Sequence, residues 1–200
     1  MRRGRRDHGA RNRRVVTARG DLVWVFGYGS LIWRPAMAYR ARRAGRIAGW
    51  ARRFWQASTD HRGSVESPGR VATLVEADGA VWGMAYAISR AEWPAIEAAL
   101  ELREQQGYAR LTVDVGLAAG EHAGDVVEQV PCLLYIATPD NPHFIGPEPL
   151  EATAEIVRRS HGPSGSNLDY VLELDRALTA MGAADPDVRA LAERLRSPRR

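Results

Sequence analysis

The sequence has no lysine, a single cysteine and no long apolar run, and these absences exclude several kinds of protein. Because Cys132 is alone, no disulfide can form within the chain, a usage typical of a reducing cytoplasm. No apolar run approaches the ~20 residues of a membrane-spanning helix, so no membrane association is expected. The histidines are scattered and Cys132 has no partner at zinc spacing, so we expect neither a metal nor another cofactor.

The formal net charge of +4 is distributed unevenly. Residues 1–20 contain eight arginines and one aspartate, a charge of +7, which leaves −3 for the other 180 residues. We interpret residues 1–20 as a disordered, solvated tail, with a nucleic-acid-binding arm or a mitochondrial-type presequence as alternatives. A nucleic-acid-binding domain is not expected in the mildly acidic remainder. The tail lacks the apolar segment of a secretory signal, so a cytoplasmic protein is expected.

The remainder has a globular composition, with 45% hydrophobic and 26% charged residues in the whole chain. Apolar patterning predicts strands at residues 22–26, 47–58, 108–115 and 130–137, and a hairpin at 70–88 around Asp78-Gly79. It predicts helices at residues 90–105, capped by Ser89, and at 148–160, 167–181 and 186–196. This order predicts an α+β fold, a small curved sheet or barrel with flanking helices. We assign residues 21–182 to this domain and 183–200 to a C-terminal helix and tail.

Cys132 and the tryptophans are expected to be structural. Cys132 lies within the apolar run at residues 130–136. A buried thiol is the favoured interpretation, and a nucleophile is the alternative. Core packing is also favoured over a base-stacking or ring-stacking platform for Trp33, Trp50, Trp55 and Trp82.

Four segments of the sequence combine glycine, aromatic and polar residues. They read VFGYGSLIW at 25–33, RFWQ with STDHRG at 53–63, RE and GY at 103–108, and YIATPDNP at 135–142. The last runs into Gly-Pro at 146–147 and GPSG at 162–165. In order and spacing, the four segments resemble the ChaC-type γ-glutamylcyclotransferases over about residues 22–180.

The resemblance implies a γ-glutamylcyclotransferase-like fold and the conversion of glutathione into 5-oxoproline and Cys-Gly. It implies that Glu104 transfers protons, and that the substrate is bound by Gly27, Tyr28, Gly29, Ser30, Leu31 and Ile32. Tyr108 and Tyr135 are further candidate substrate-binding residues, although Tyr135 could instead pack in the core. The expected partner is glutathione alone, and the expected state is a monomer or weak dimer.

This reaction suits the residue types present. The substrate's α-amine is itself the nucleophile, so the protein has to fold the substrate, move a proton and stabilise an oxyanion. The glycines of residues 27–31 allow backbone N–H groups to approach an anion closely, although a plain strand-ending turn is the alternative. Glu104 falls at the end of a predicted helix, where the macrodipole and partial burial would raise its pKa. A solvated helix-end glutamate is the alternative there.

Two other possibilities stay open. The sequence Asp60-His61-Arg62 suggests a charge relay, but no serine-containing nucleophile elbow accompanies it. Loop hydrogen bonds and contacts at the substrate rim are therefore favoured. A cyclotransferase for another γ-glutamyl amide, and a catalytically silent ligand-binding protein of the same fold, are the functional alternatives.

Overall fold

The computed structural model describes residues 19–103 and 107–197, and its central feature is a closed β-barrel. The barrel strands are β1 (Leu22–Gly27), β2 (Ala41–Ser58), β3 (Gly69–Ser89), β4 (Ala109–Ala118) and β5 (Val126–Ile136). They follow the spatial order β1-β3-β2-β4-β5, and a parallel contact between β1 and β5 closes the ring. The predicted α+β class and small curved barrel are confirmed.

The helices pack against the outside of this barrel. They are α1 (Trp93–Arg103), α2 (Leu150–Arg159), α3 (Asn167–Ala180) and α4 (Pro186–Arg196), and the short strands β6 (His161–Gly162) and β7 (Gly165–Ser166) form a hairpin before α3. The expected cap at Ser89 is wrong, because Ser89 ends β3 and its carbonyl accepts the Glu92 N–H. In the described part of the chain, no helix is long and apolar enough to cross a membrane. Residues 1–18 of the predicted tail lie outside the described part of the chain.

The hairpin predicted at residues 70–88 is wrong, because Gly69–Ser89 forms one continuous strand. Strand β2 pairs with β3 over nearly its whole length, and the register shifts so that residues 77–79 lie opposite Gly49. Gly49 has a φ of 82°, a conformation that glycine adopts without strain. Asp78-Gly79 is thus accommodated in a bulge, because the residues on both sides of it are held by a long partner strand.

The barrel interior is a cluster to which all strands of the barrel contribute and in which no described helix takes part. Alternation along β5 shows how it forms, because Cys132 and Leu134 point inward while Leu133 and Tyr135 pack towards α1. Cys132 is fully buried, as predicted, and burial raises the pKa of its thiol to about 12. The interior consists of Phe26, Tyr28, Ile47, Leu74, Val81, Ala85, Val115, Leu117, Cys132, Leu134 and Ile136.

A second apolar layer joins α2, α3 and α4 to the outside of β2 and β3. Val188 and Leu191 of α4 share this layer with Leu174 of α3. The domain boundary at residue 182 stays a prediction, although α4 packs into the same layer as α3. Three of the four tryptophans pack as predicted: Trp33 and Trp82 lie against this layer and Trp50 lies against the barrel interior. Trp55 belongs to neither cluster and instead packs edge-on against Phe144, with the ring centres 6.3 Å apart.

Candidate active site

One end of the barrel opens onto a cavity of about 590 Å³. The ends of β1 and β5 and the start of β4 meet here, because β1 runs parallel to β5 and β4 runs antiparallel to it. The loop after β2, the β6–β7 hairpin and α3 complete the walls. The volume lies within the range of small-molecule sites.

The structure brings most of the predicted site residues to this cavity. Residues 27–31 form one wall, and the cavity is also lined by Tyr108, just before β4, and by Tyr135 in β5. Ile32 does not line it, because its side chain is buried in the helical layer and its N–H donates to the Gly29 carbonyl at 3.0 Å. Glu104 lies outside the described residues.

The wall at residues 27–31 is a tight turn that requires glycine. A Cβ atom on Gly27 would lie 2.5 Å from the Cβ of Leu31, a separation that real side chains do not tolerate. A Cβ on Gly29 would lie 3.1 Å from the hydroxyl of Tyr170 in α3. A 3₁₀ turn at Ser30–Ile32 follows, in which the Arg34 N–H donates to the Ser30 carbonyl at 2.8 Å. The missing side chains at the two glycines therefore let the chain fold back beside α3.

Two side chains hold the carbonyl groups of this turn. Arg52 Nε donates to the Tyr28 carbonyl at 3.0 Å, and the Tyr86 hydroxyl donates to the Leu31 carbonyl at 2.5 Å. Burial raises the pKa of Tyr86 above its ordinary value, so the hydroxyl stays protonated as a donor. Sequence reasoning overlooked both residues. The only sequence signal for Arg52 is alternation, because positions 52, 54 and 56 of β2 are buried while positions 53 and 55 between them are only half-buried.

The opposite wall joins the loop at residues 59–63 to the β6–β7 hairpin. His61 Nδ1 lies 3.0 Å from Ser164 Oγ, and the Ser164 N–H donates to the His61 carbonyl at 3.0 Å. The Arg62 guanidinium donates to the Ser166 carbonyl at 3.2 Å and lies 5.5 Å from the centre of the Tyr170 ring. The predicted loop hydrogen bonds of this segment are confirmed.

This wall does not form a Ser-His-Asp relay. The separation between Asp60 Oδ2 and His61 Nε2 is 3.6 Å, which is beyond a hydrogen bond. Ser164 lies in the turn of the β6–β7 hairpin, and no helix begins immediately after it to form a nucleophile elbow. The arrangement therefore does not provide the activated serine that a relay requires.

The described lining of the cavity is positive. Arg34 and Arg62 contribute to it, and no aspartate or glutamate does so among the described residues. Within those same residues, no group of three or more His, Cys, Asp or Glu side chains is placed to hold a metal ion. Such a cavity is suited to an anionic ligand, because cationic side chains attract carboxylates.

The barrel, its glycine turn and the cavity at its open end define a protein that binds a small molecule. The chain belongs to the family described as ChaC-like protein, whose model matches residues 23–197. The match includes α4.

Several characterised proteins are similar to this chain. A glutathione-specific γ-glutamylcyclotransferase of Saccharomyces cerevisiae is 37% identical, over 80% of this chain and 86% of that protein. Glutathione-specific γ-glutamylcyclotransferase 1 of Homo sapiens is 42% identical, over 77% of this chain and 68% of that protein. A crystal structure of a yeast γ-glutamyl cyclotransferase specific to glutathione superposes with a TM-score of 0.80 at 34% identity, covering 88% of this chain and 96% of that one.

Proposed function

We propose that this protein is a glutathione-specific γ-glutamylcyclotransferase that converts glutathione into 5-oxoproline and Cys-Gly. The observation that carries the proposal is the convergence of the glycine turn, Tyr108 and Tyr135 on one cavity, from three separate parts of the chain. The family and the similarity to glutathione-specific enzymes support the same substrate.

The charge of the cavity suits glutathione, which carries two carboxylates and one ammonium at neutral pH. We assign the γ-glutamyl end to the turn at residues 27–31, where backbone N–H groups can bind a carboxylate or a developing oxyanion. We assign the glycine carboxylate to the opposite wall, where the Arg62 guanidinium is held beside the ring of Tyr170.

The reaction requires no nucleophile from the protein. The α-amine of the γ-glutamyl group attacks its own side-chain carbonyl, a C–N bond forms, and the C–N bond to cysteine breaks. The α-ammonium loses two protons in becoming the ring N–H, the departing nitrogen gains two in becoming the ammonium of Cys-Gly, and no water is consumed. Holding the amine against the carbonyl supplies much of the acceleration, because a well-oriented intramolecular attack avoids a large entropic cost.

We assign the proton transfer to Glu104. Helix α1 ends at Arg103, and Tyr108 lines the cavity only four residues after Glu104. A carboxylate can take the proton from the ammonium and return it to the leaving amine.

The proposal includes no metal and no cofactor, and it places a monomer or weak dimer in the cytoplasm. Because the nucleophile belongs to the substrate, neither metal-bound hydroxide nor an activated cysteine is required. We expect full activity in the presence of EDTA. Loss of activity in the chelator, restored by one added metal, would contradict this part of the proposal.

The direct test is to incubate the purified protein with glutathione and to detect 5-oxoproline and Cys-Gly by mass spectrometry. γ-Glutamyl-alanine is the comparison substrate, and N-acetyl-glutathione is the control because it lacks a free α-amine. We expect turnover of glutathione, much weaker turnover of γ-glutamyl-alanine and none of the acetylated compound. Preference for γ-glutamyl-alanine would reassign the substrate, and Cys-Gly released from acetylated glutathione would indicate an amidase that uses water.

A further inference from the structure

We propose that Arg52 and Asp185 are positioning residues: Asp185, at the start of α4, holds the Arg52 guanidinium against the Tyr28 carbonyl and so directs the Gly29 N–H towards the substrate. This makes the C-terminal helix part of the apparatus that binds the substrate. The identity of the substrate rests on the proposed function, whereas the geometry of the turn does not.

The contacts of Arg52 are those of a residue fixed in one place. Its side chain is 1% exposed, and its guanidinium donates to the Tyr28 carbonyl at 3.0 Å, the Trp82 carbonyl at 2.6 Å and Asp185 Oδ2 at 2.5 Å. A buried cation is costly unless it is paired and hydrogen-bonded, so these contacts depend on one another. Removing Asp185 would weaken the support of the Tyr28 carbonyl as well.

The contact with Tyr28 determines the direction of the next N–H group. The carbonyl of Tyr28 and the N–H of Gly29 belong to one planar trans peptide, in which the two groups point in opposite directions. The carbonyl points to the buried Arg52, and Gly29 lines the cavity. The Gly29 N–H is therefore directed away from Arg52 and is available as a donor to an anion in the cavity.

Asp185 uses its two carboxylate oxygens for two purposes. Oδ1 accepts the N–H groups of Asp187 and Val188 at 3.1 and 3.3 Å, which caps the start of α4. Oδ2 accepts from Arg52. One carboxylate thus connects the first turn of the last helix to the carbonyl of the substrate turn, through a single arginine.

The chain offers a matched control beside this pair. Arg53 and Asp187 also connect β2 to α4, one and two residues further along the chain, and they too form an ion pair. That pair is at the surface, with side chains 33% and 52% exposed. Neither residue lines the cavity or contacts residues 27–31 in the described structure.

The experiment compares Asp185→Asn with Asp187→Asn in the full-length protein. Asparagine is an effective N-cap, so α4 keeps its start, but one amide cannot offer an oxygen both to the cap and to Arg52. We measure kcat and KM for glutathione, and the amide hydrogen exchange of Ile32 and Arg34, whose N–H groups are hydrogen-bonded within the turn.

We expect Asp185→Asn to raise KM at least tenfold and to accelerate exchange at both amides at least tenfold, while Asp187→Asn stays within twofold of wild type. A merely structural role would lower the amount of folded enzyme, which reduces kcat and leaves KM unchanged. Arg52→Met is a second variant, for which we also expect a higher KM and faster exchange. If Arg52→Met does not fold, the result for Asp185→Asn alone tests the proposal.

Equal effects of the two aspartate variants, or unchanged KM and exchange in Asp185→Asn, would overturn the proposal. Its failure is distinct from failure of the proposed function. If wild-type protein does not cyclise glutathione, the function is wrong, and the exchange measurement still tests whether Asp185 orders the turn.

Discussion

The barrel interior and the cavity at its end are neighbours, yet they are built in different ways. The interior arises from alternation along the strands, so that each inward residue, such as Cys132 or Leu134, is placed by its own strand. The cavity is built from strand ends together with a turn, a loop, a hairpin and one helix, and its surface depends on distant supports such as Arg52 and Tyr86. Changes in the interior should therefore affect stability, and changes at the cavity should affect turnover.

The largest expected effect is the loss of turnover in Glu104→Gln. Glutamine keeps the size of the side chain but cannot accept a proton at neutral pH, and acid–base transfer contributes ~10²–10⁴-fold. We expect kcat for glutathione to fall at least about a hundredfold, with little change in thermal stability.

The control for this variant is Glu101→Gln, the same substitution within α1. Glu101 is exposed and lies 3.6 Å from Arg110, so we expect kcat within about twofold of wild type, a change below ~0.5 kcal/mol. Near-wild-type kcat in folded Glu104→Gln would exclude Glu104 as the proton carrier. Tyr108 and Tyr135, which both line the cavity, would then be tested next.

The sequence predicts the elements that have local signals and misses those that depend on distant contacts. Strand β1 was predicted from its continuous apolar run, and helices α3 and α4 from their periodicity, because these signals are local. The hairpin prediction failed for the opposite reason. Asp78-Gly79 is a strong local turn signal, but pairing with the whole of β2 outweighed it.

The same holds for the candidate site. Residues 27–31 carry a motif and were identified, whereas Arg52 and Tyr170 carry none. Arg52 is important because Asp185, 133 residues away, reaches it. Tyr170 lines the cavity because α3 packs beside the glycine turn. Its hydroxyl accepts the N–H of Ala72 in β3 at 3.2 Å. Such partners depend on the tertiary topology, which a single sequence does not specify locally.

The interior is tested by Cys132→Ser, where we expect a loss of stability without a loss of turnover, the opposite of the result expected for Glu104→Gln. The thiol is fully buried among apolar side chains, and burying a hydroxyl without a partner costs about 1–3 kcal/mol. Urea denaturation should show this loss, while kcat per folded molecule stays unchanged. Cys132→Ala is the control, because it removes the sulfur without adding a hydroxyl. A stable but inactive serine variant would mean that Cys132 takes part in catalysis.

A smaller effect is expected at the outer wall of the cavity. If Arg62 binds the glycine carboxylate, wild-type enzyme should prefer glutathione over its glycine monoethyl ester, and Arg62→Met should lose most of that preference. The expected loss is about tenfold in the ratio of kcat/KM values, or roughly 1.4 kcal/mol. Comparing both substrates in both proteins isolates the interaction between the guanidinium and the carboxylate. If Arg62 is purely structural, Arg62→Met should lower kcat/KM equally for both substrates and leave their ratio unchanged.

The smallest effect is expected at a pair that belongs to neither region. Arg70 Nε and Nη2 donate to the two carboxylate oxygens of Glu148 at 2.9 and 3.0 Å, and this hydrogen bonding lowers the pKa of Glu148 below its ordinary value. A lowered pKa in the folded state means that the pair stabilises the protein above the unfolded-state pKa. That contribution is lost as the pH falls through the folded-state pKa.

We therefore expect Glu148→Gln to be less stable than wild type at neutral pH, by no more than about 1 kcal/mol because the pair is partly exposed. The difference should shrink at an acidic pH below the folded-state pKa of Glu148, where the wild-type carboxyl is also protonated. Urea denaturation at the two pH values measures it, and kcat at neutral pH should not change, because neither residue lines the cavity. A difference that persists in acid would show that Glu148 acts through packing or through its hydrogen bond from Thr153 rather than through its charge.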